Sequence, residues 1–292
     1  MASLRELKKQ LESVRMIGQM AGAMKTASSA KFTRISGALT GFQPYVGACR
    51  EMRQRFGASM YQAFPVREPA APRCFILLGS NRGLCGGYNV RLYEYADRLL
   101  EQAGGCVILS GRHAANHYAE SAPQGQTFQI LQEYDMPDLP SSDDAAALLN
   151  DALERYEKGE VSSVEIIWQR FINVLTQEPD SLALLPLSAD AGDRPKTAPA
   201  PADPEDLLYL PDRDAVLKSA AKVCICADFY EKVLEAAAGA QAATLVAMRT
   251  AYDNADESAA GLEADISHRR QSEITSGVIE TAGGNAARRA ES

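Results

Sequence analysis

The stretch "GSNRGLCGG", residues 79–87, is the densest glycine cluster in the chain. It follows the apolar run "CFILL" and precedes an amphipathic segment. A glycine loop between a strand and a helix can turn its backbone N–H groups toward a phosphate. A P-loop also needs a lysine followed by Ser or Thr, and there is no lysine between 79 and 87. The dinucleotide fingerprint needs GxGxxG, but Gly83, Gly86 and Gly87 are spaced otherwise. Arg82 is the one cation the loop offers. The loop therefore reads as structural. Its glycines give a tight strand-to-helix turn, and Asn89 caps the helix that follows. A nucleotide-dependent α/β enzyme is the alternative of another class.

The remaining candidates for chemistry are thin. His113 and His117 stand at i, i+4, a spacing that places two imidazoles on one helix face, but no third ligand accompanies them. Cys224 and Cys226, at i and i+2, do not share a helix face. No nucleophile motif of the GxSxG kind occurs. Trp168 and Phe171 read as packing residues. No catalytic residue, metal or cofactor is expected.

The elements around these residues fall into parts. Residues 1–60 read as one helix, with Ser3 and Glu6 forming a capping box. Leu4, Leu7, Leu11 and Val14 step 3, 4, 3, the seam of a coiled coil. The apolar pattern then shifts by one residue to Ile17, Ala21, Met24 and Ser28. Gly18 and Gly22 permit close backbone approach, and Gly37, Gly41 and Pro44 are candidate interruptions.

Residues 70–190 change period. "CFILLG" and "CVILSG" are β-rich runs ending in glycine, with a helical segment between them, so a Rossmann-like α/β domain with right-handed crossovers is expected. "TFQILQEY" is a further strand, "DDAAALLNDALERYEKG" a helix ending at Gly159, and "SVEIIWQRFINVLTQ" pairs with "SLALLPL" as a hairpin. Residues 188–206 are a proline-rich linker.

Residues 210–285 are helical again. Leu234, Ala238, Gln241, Leu245, Met248, Tyr252, Ala255, Ala259, Leu262 and Ile266 step 4, 3 without a slip. Such a helix over 213–282 is about 105 Å long at 1.5 Å per residue. Two seams at opposite ends of the sequence suggest one antiparallel coiled coil beside the α/β domain.

The charge is uneven. The chain carries −8 overall, yet residues 1–55 hold ten basic and three acidic residues. A basic helix on an acidic protein calls for an acidic partner, in cis or in another subunit. The stretch Asp253, Asp256, Glu257, Glu263, Asp265 is a candidate in cis. The six cysteines show no CxxC pair, which favours reduced thiols. No signal-peptide core and no membrane span is legible.

Taken together these stretches resemble a known family. "SLRELKKQLESVR" with "AMKTASSAKF", "SNRGLCGGYN", "FINVLTQEPDSLALLPL", and "AMRTAYDNA" followed by "RRQSEIT" are similar to the gamma subunits of F-type ATP synthases, over nearly the full length. The resemblance implies a central rotor stalk that couples ion flow to ATP synthesis or hydrolysis. The partners it implies are the hexamer of alpha and beta subunits, the epsilon subunit and the membrane c-ring, with no nucleic acid. It implies no catalysis by this chain alone, and peripheral attachment at the cytoplasmic face of a bacterial plasma membrane through the complex. By matched position, Arg270, Gln271 and Met24 are implied contacts to beta subunits. Gly83, Gly86, Gly87 and Asn89 carry over as structural motif residues.

The chain departs from the family pattern at Thr275-Ser276-Gly277, where a glutamate is usual, and at Gly18, Gly22 and Thr244, where polar or basic residues are common. A divergent gamma subunit of a second, hydrolysis-biased or sodium-coupled ATPase is the alternative within the family. A coiled-coil scaffold unrelated to ATP is the alternative outside it.

Overall fold

The computed structural model describes residues 3–62, 64, 67, 70–120, 128–187 and 209–290. The proline-rich segment at 188–206 lies outside them. The described elements are α1 (Leu4–Gln62), β1 (Arg73–Leu78), α2 (Tyr88–Ala103), β2 (Gly105–Ser110), α3 (Arg112–Glu120), β3 (Phe128–Tyr134), α4 (Ser142–Lys158), β4 (Ser163–Phe171), β5 (Gln177–Leu185) and α5 (Arg213–Ala290). The chain divides into two compact units, residues 1–27 with 245–292 and residues 28–244.

The first unit is a pair of helical segments. The start of α1 is closed by the expected capping box: Ser3 N donates to Glu6 Oε2 at 2.7 Å and Glu6 N to Ser3 Oγ at 3.2 Å. Leu4, Leu7, Leu11, Val14, Gly18 and Ala21 are sheltered, stepping 3, 4, 3, 4, 3. The expected slip at Ile17 is thus wrong. Ile17 is 57% exposed, and Gly18 occupies the seam. A glycine has no side chain to register in an apolar pattern, so the seam is silent at this position and the apolar period falls on the neighbouring isoleucine. The segments run antiparallel. A Cβ on Gly18 would lie 3.3 Å from the Ala255 Cβ, and one on Gly22 would lie 3.2 Å from the Tyr252 ring. Arg15 pairs with Glu263 at 2.5 Å, so part of the charge asymmetry is met within the chain.

The second unit is built on a five-stranded sheet of order β3-β2-β1-β4-β5. The first four strands are parallel, and β5 returns antiparallel to β4. β1 and β2 read as unbroken apolar runs because helices cover both faces. On one face Phe75, Leu77, Val107 and Leu109 pack against Leu92, Ala96 and Leu100 of α2 and Tyr118 of α3. On the other, Ile76, Ile108 and Ile166 pack against Leu149, Leu153 and Tyr156 of α4, with Cys49 of α1 and Cys224 and Phe229 of α5. The helix α4 ends, as its sequence predicts, at Gly159 in the left-handed conformation, and it starts at a capping box of Ser141 and Asp144.

The candidate interruptions at Gly37, Gly41 and Pro44 do not divide α1, which is helical throughout. Within this unit α1 keeps the same spacing, with Ser28, Phe32, Ile35, Leu39, Phe42, Val46 and Cys49 sheltered. Ile35 is fully buried against Leu234 and Ala238 of α5. Packing along the whole seam outweighs the roughly 3 kcal/mol that an interior proline costs.

Candidate functional site

In an open parallel sheet, ligands bind outside the carboxyl ends of the strands where the strand order reverses. Here the reversal falls between β1 and β4. The glycine loop leaves β1 at that point, and its residues are held by one another. Ser80 Oγ lies 2.7 Å from the Arg82 carbonyl and 2.8 Å from Asn89 Oδ1. Asn89 Nδ2 donates to the Arg82 carbonyl at 3.3 Å and reaches Cys85 Sγ at 3.2 Å. Asn89 is therefore not the cap of α2, as the sequence suggests. Gly87 is the N-cap, without a side-chain bond, and Asn89 lies one residue inside the helix, buried, tying the loop from within.

The glycines of the motif differ in what they do. Gly86 has φ +58°, which favours glycine, whereas a Cβ on Gly87 would meet open space and one on Gly83 would rest 3.7 Å from His113. The steric demand falls instead on Gly79 and Gly111. A Cβ on Gly79 would stand 2.6 Å from the Ala114 Cβ, and one on Gly111 would stand 2.7 Å from the Gly79 carbonyl. The cue for these two was the glycine ending each apolar run.

The crevice itself is filled by the chain. Tyr88, fully buried just past the loop, donates its hydroxyl to the Ala236 carbonyl of α5 at 2.9 Å. Its own carbonyl accepts from Gln169 Nε2 of β4 at 2.8 Å. A Cβ on Gly239 would come within 3.3 Å of the Tyr88 ring, so a glycine lets α5 approach. Burial pushes the Tyr88 phenol up, and it stays a neutral donor. The loop's work is to set this tyrosine against α5.

A ladder of charges flanks that contact. Asp228 accepts from both guanidinium nitrogens of Arg53, one of them at 3.0 Å. Glu231 accepts from Gln43 Nε2 at 2.9 Å. Lys232 lies 3.2 Å from both Glu231 and Glu235. Glu235 takes the Phe171 backbone N–H at 3.0 Å and Trp168 Nε1 at 3.2 Å. Trp168 thus packs, as expected, but it also donates, which its sequence setting did not reveal.

The histidines stand on α3. Tyr93 Oη lies 3.0 Å from His113 Nδ1, and His117 stacks on Tyr93 at 4.4 Å. Among the described residues no His, Cys, Asp and Glu side chains gather as metal ligands would. The six cysteines are free, and burial pushes the Cys49, Cys85 and Cys224 thiols up, away from the thiolate that nucleophilic chemistry needs.

The other matched residues lie in the first unit. Arg270 and Gln271 stand on α5 with exposed side chains, and Met24 is half-buried on α1. Met16, Ile17 and Met20 are each more than half exposed on α1, as are Ile274, Val278 and Ile279 on α5. Apolar residues this exposed and this close in sequence are a candidate surface for another molecule.

The family model for ATP synthase matches residues 3–287. The chain belongs to that family. The match takes in both terminal helices and the sheet between them. The ATP synthase gamma chain of Rubrobacter xylanophilus is 28% identical over 290 residues, covering 97% of this chain and 98% of its own. That of Gemmatimonas aurantiaca is 29% identical over 299 residues, covering 98% and 99%. Among solved structures, a chain of the Euglena gracilis mitochondrial ATP synthase, in an OSCP/F1/c-ring assembly, aligns with a TM-score of 0.67 and 17% identity. That alignment covers 98% of this chain and 95% of the other, and it extends the family assignment to a shared fold.

Proposed function

We propose that this chain is the gamma subunit, the central rotor stalk, of an F-type ATP synthase. The observation that carries the reading is full-length similarity to bacterial chains of that name, spanning the helical pair and the α/β domain together. The partners are the hexamer of alpha and beta subunits, the epsilon subunit and the c-ring. The chain itself performs no bond-breaking step. Its crevice at the strand-order reversal is filled by Tyr88 and α5 rather than shaped for a nucleotide. No helix among the described residues is long and apolar enough to cross a membrane. In this reading attachment runs through the complex, at the cytoplasmic face.

The mechanism is differential contact. A ligand or subunit shifts an equilibrium only by binding its states unequally. A stalk with different residues on each side presents a different surface to each beta subunit in turn, and the unequal contacts set unequal nucleotide affinities. The apolar residues Met16, Ile17, Met20, Ile274, Val278 and Ile279 supply the surface, and Arg270 and Gln271 its polar contacts. Met24, half-buried on α1, is a further contact to the beta subunits.

The test is a mild-detergent pull-down of the tagged chain from its native membranes. Recovery of alpha, beta, epsilon and c subunits with ATP hydrolysis in the eluate is the expected result. A chain recovered alone, or with other partners and no hydrolysis, overturns the reading.

A further inference from the structure

Between Val233 and Ala243 the face that α5 offers is smooth. Ala236, Ala237, Ala238, Ala240, Ala242 and Ala243 alternate with few large side chains. Small residues let helix and sheet approach, and they leave the Tyr88 ring against Gly239 as one of few large side chains that resist rolling along this stretch. The Tyr88 hydroxyl on the Ala236 carbonyl holds one point of α5, and the angle of the helix about its own axis needs a second. Glu235 is placed to supply it. Its side chain is 13% exposed and receives three donors from two directions. Oε1 takes the backbone N–H of Phe171, at the end of β4. Oε2 takes Trp168 Nε1 from the same strand and Lys232 Nζ from the preceding turn of α5. The Lys232 ammonium also rests 5.3 Å above the Trp168 ring. Burial alone would lower the lysine's pKa, but Glu235 and Glu231 outweigh it and hold the ammonium charged. A backbone N–H cannot swing aside, so the carboxylate is tied to the sheet itself rather than to a flexible side chain.

From this geometry we infer that Glu235 is a positioning residue, fixing the rotational angle of α5 on the α/β domain so that turning one turns the other without slip. The inference rests on the rotor reading. A rotor whose helix can roll on its foot hydrolyses ATP without moving ions in proportion. With the clamp intact, the two processes stay linked.

The test uses Glu235→Gln and Glu235→Ala in the assembled complex, with Trp168→Phe as a milder third variant that keeps packing but removes the indole donor. ATP hydrolysis and ATP-driven ion pumping are measured on the same inverted vesicles, with subunit content checked by gel. For Glu235→Ala, hydrolysis stays within about twofold of the unaltered complex while pumping falls about fivefold. Glu235→Gln and Trp168→Phe fall between. The chain's single tryptophan gives a second readout. In the purified full chain, Glu235→Gln shifts the Trp168 emission with the far-ultraviolet circular dichroism unchanged. Unchanged pumping in Glu235→Ala overturns the inference, as does an unshifted emission. So does a parallel loss of pumping and hydrolysis together with loss of the subunit, which is the signature of a purely structural role. An unaltered complex that lacks alpha, beta and c subunits refutes the rotor reading instead, before any variant is compared.

Discussion

The helices α1 and α5 behave differently in the two units. In the unit of residues 28–244 they are buried deeply enough to hide charges: Asp228 and Glu231 are 9% and 6% exposed, beside the fully buried Phe229. In the unit of residues 1–27 with 245–292 they touch along a narrow seam of Gly18, Gly22, Ala255 and Ala259, with isoleucines and methionines left in solvent. One kind of sequence, rich in alanine and heptad-spaced, thus serves two purposes. Where the helix is surrounded, apolar residues and paired charges fix its place. Where it is exposed, apolar residues such as Ile17 and Ile274 stay in solvent.

This contrast can be broken at several points. Phe229→Ala removes a fully buried ring and is expected to cost about 3–5 kcal/mol in urea unfolding of the purified chain. Ile17→Ala, on a side chain 57% exposed, is expected to cost no more than about 0.5 kcal/mol, yet to lower recovery of alpha and beta subunits in the pull-down. Equal destabilisation by the two would erase the distinction between the units.

Arg53→Met leaves Asp228 buried without its guanidinium partner, at a cost of about 3–5 kcal/mol. The effect depends on pH in a defined direction. Burial already pushes the Asp228 carboxyl above the usual range, with Arg53 opposing it. The folded state then binds its proton more readily than the unfolded state does. The contribution of this group is therefore most favourable in acid and falls as pH rises from the unfolded value, about 4, through the raised folded value. Without Arg53 that window extends upward, so the variant loses more stability at pH 8 than at pH 5 in paired urea titrations. A loss equal at both pH values would mean the carboxyl is solvated.

Gly22→Val is expected to cost about 1–3 kcal/mol, because its Cβ would press on the Tyr252 ring at 3.2 Å. The loss is read by hydrogen exchange at amides of the terminal segments, where it should exceed that at the sheet. The smallest effect is at Ser141→Ala. It removes the hydroxyl that accepts from Asp144 N at 3.2 Å, for about 1 kcal/mol in urea unfolding.

Much of the architecture was legible because it is written in local periods. The capping box at Ser3, the heptads of α5, the two strands ending in glycine and the hairpin of β4 and β5 all follow from spacing within a few residues. The slip near Ile17 was misread because a seam glycine is invisible to an apolar pattern. Asn89 was misread because a polar residue near a helix start looks the same whether it caps the end or ties a loop from the first turn. The proposed contacts Arg270, Gln271 and Met24 rest on resemblance, since no local pattern marks a side chain for a partner.

The sequence alone determined that both ends are helical and the middle α/β, because propensity, period and capping act between near neighbours, and it gave the family through resemblance over nearly the full length. The tertiary structure decided what fills the crevice after β1, which glycines are sterically required, and where Glu235 reaches. Tyr88 meets Ala236 from 148 residues away and Trp168 meets Glu235 from 67, and no pattern in the chain encodes contacts at such separations. They exist only once the sheet and α5 have packed, when each buried polar group must find the partner that packing brings to it.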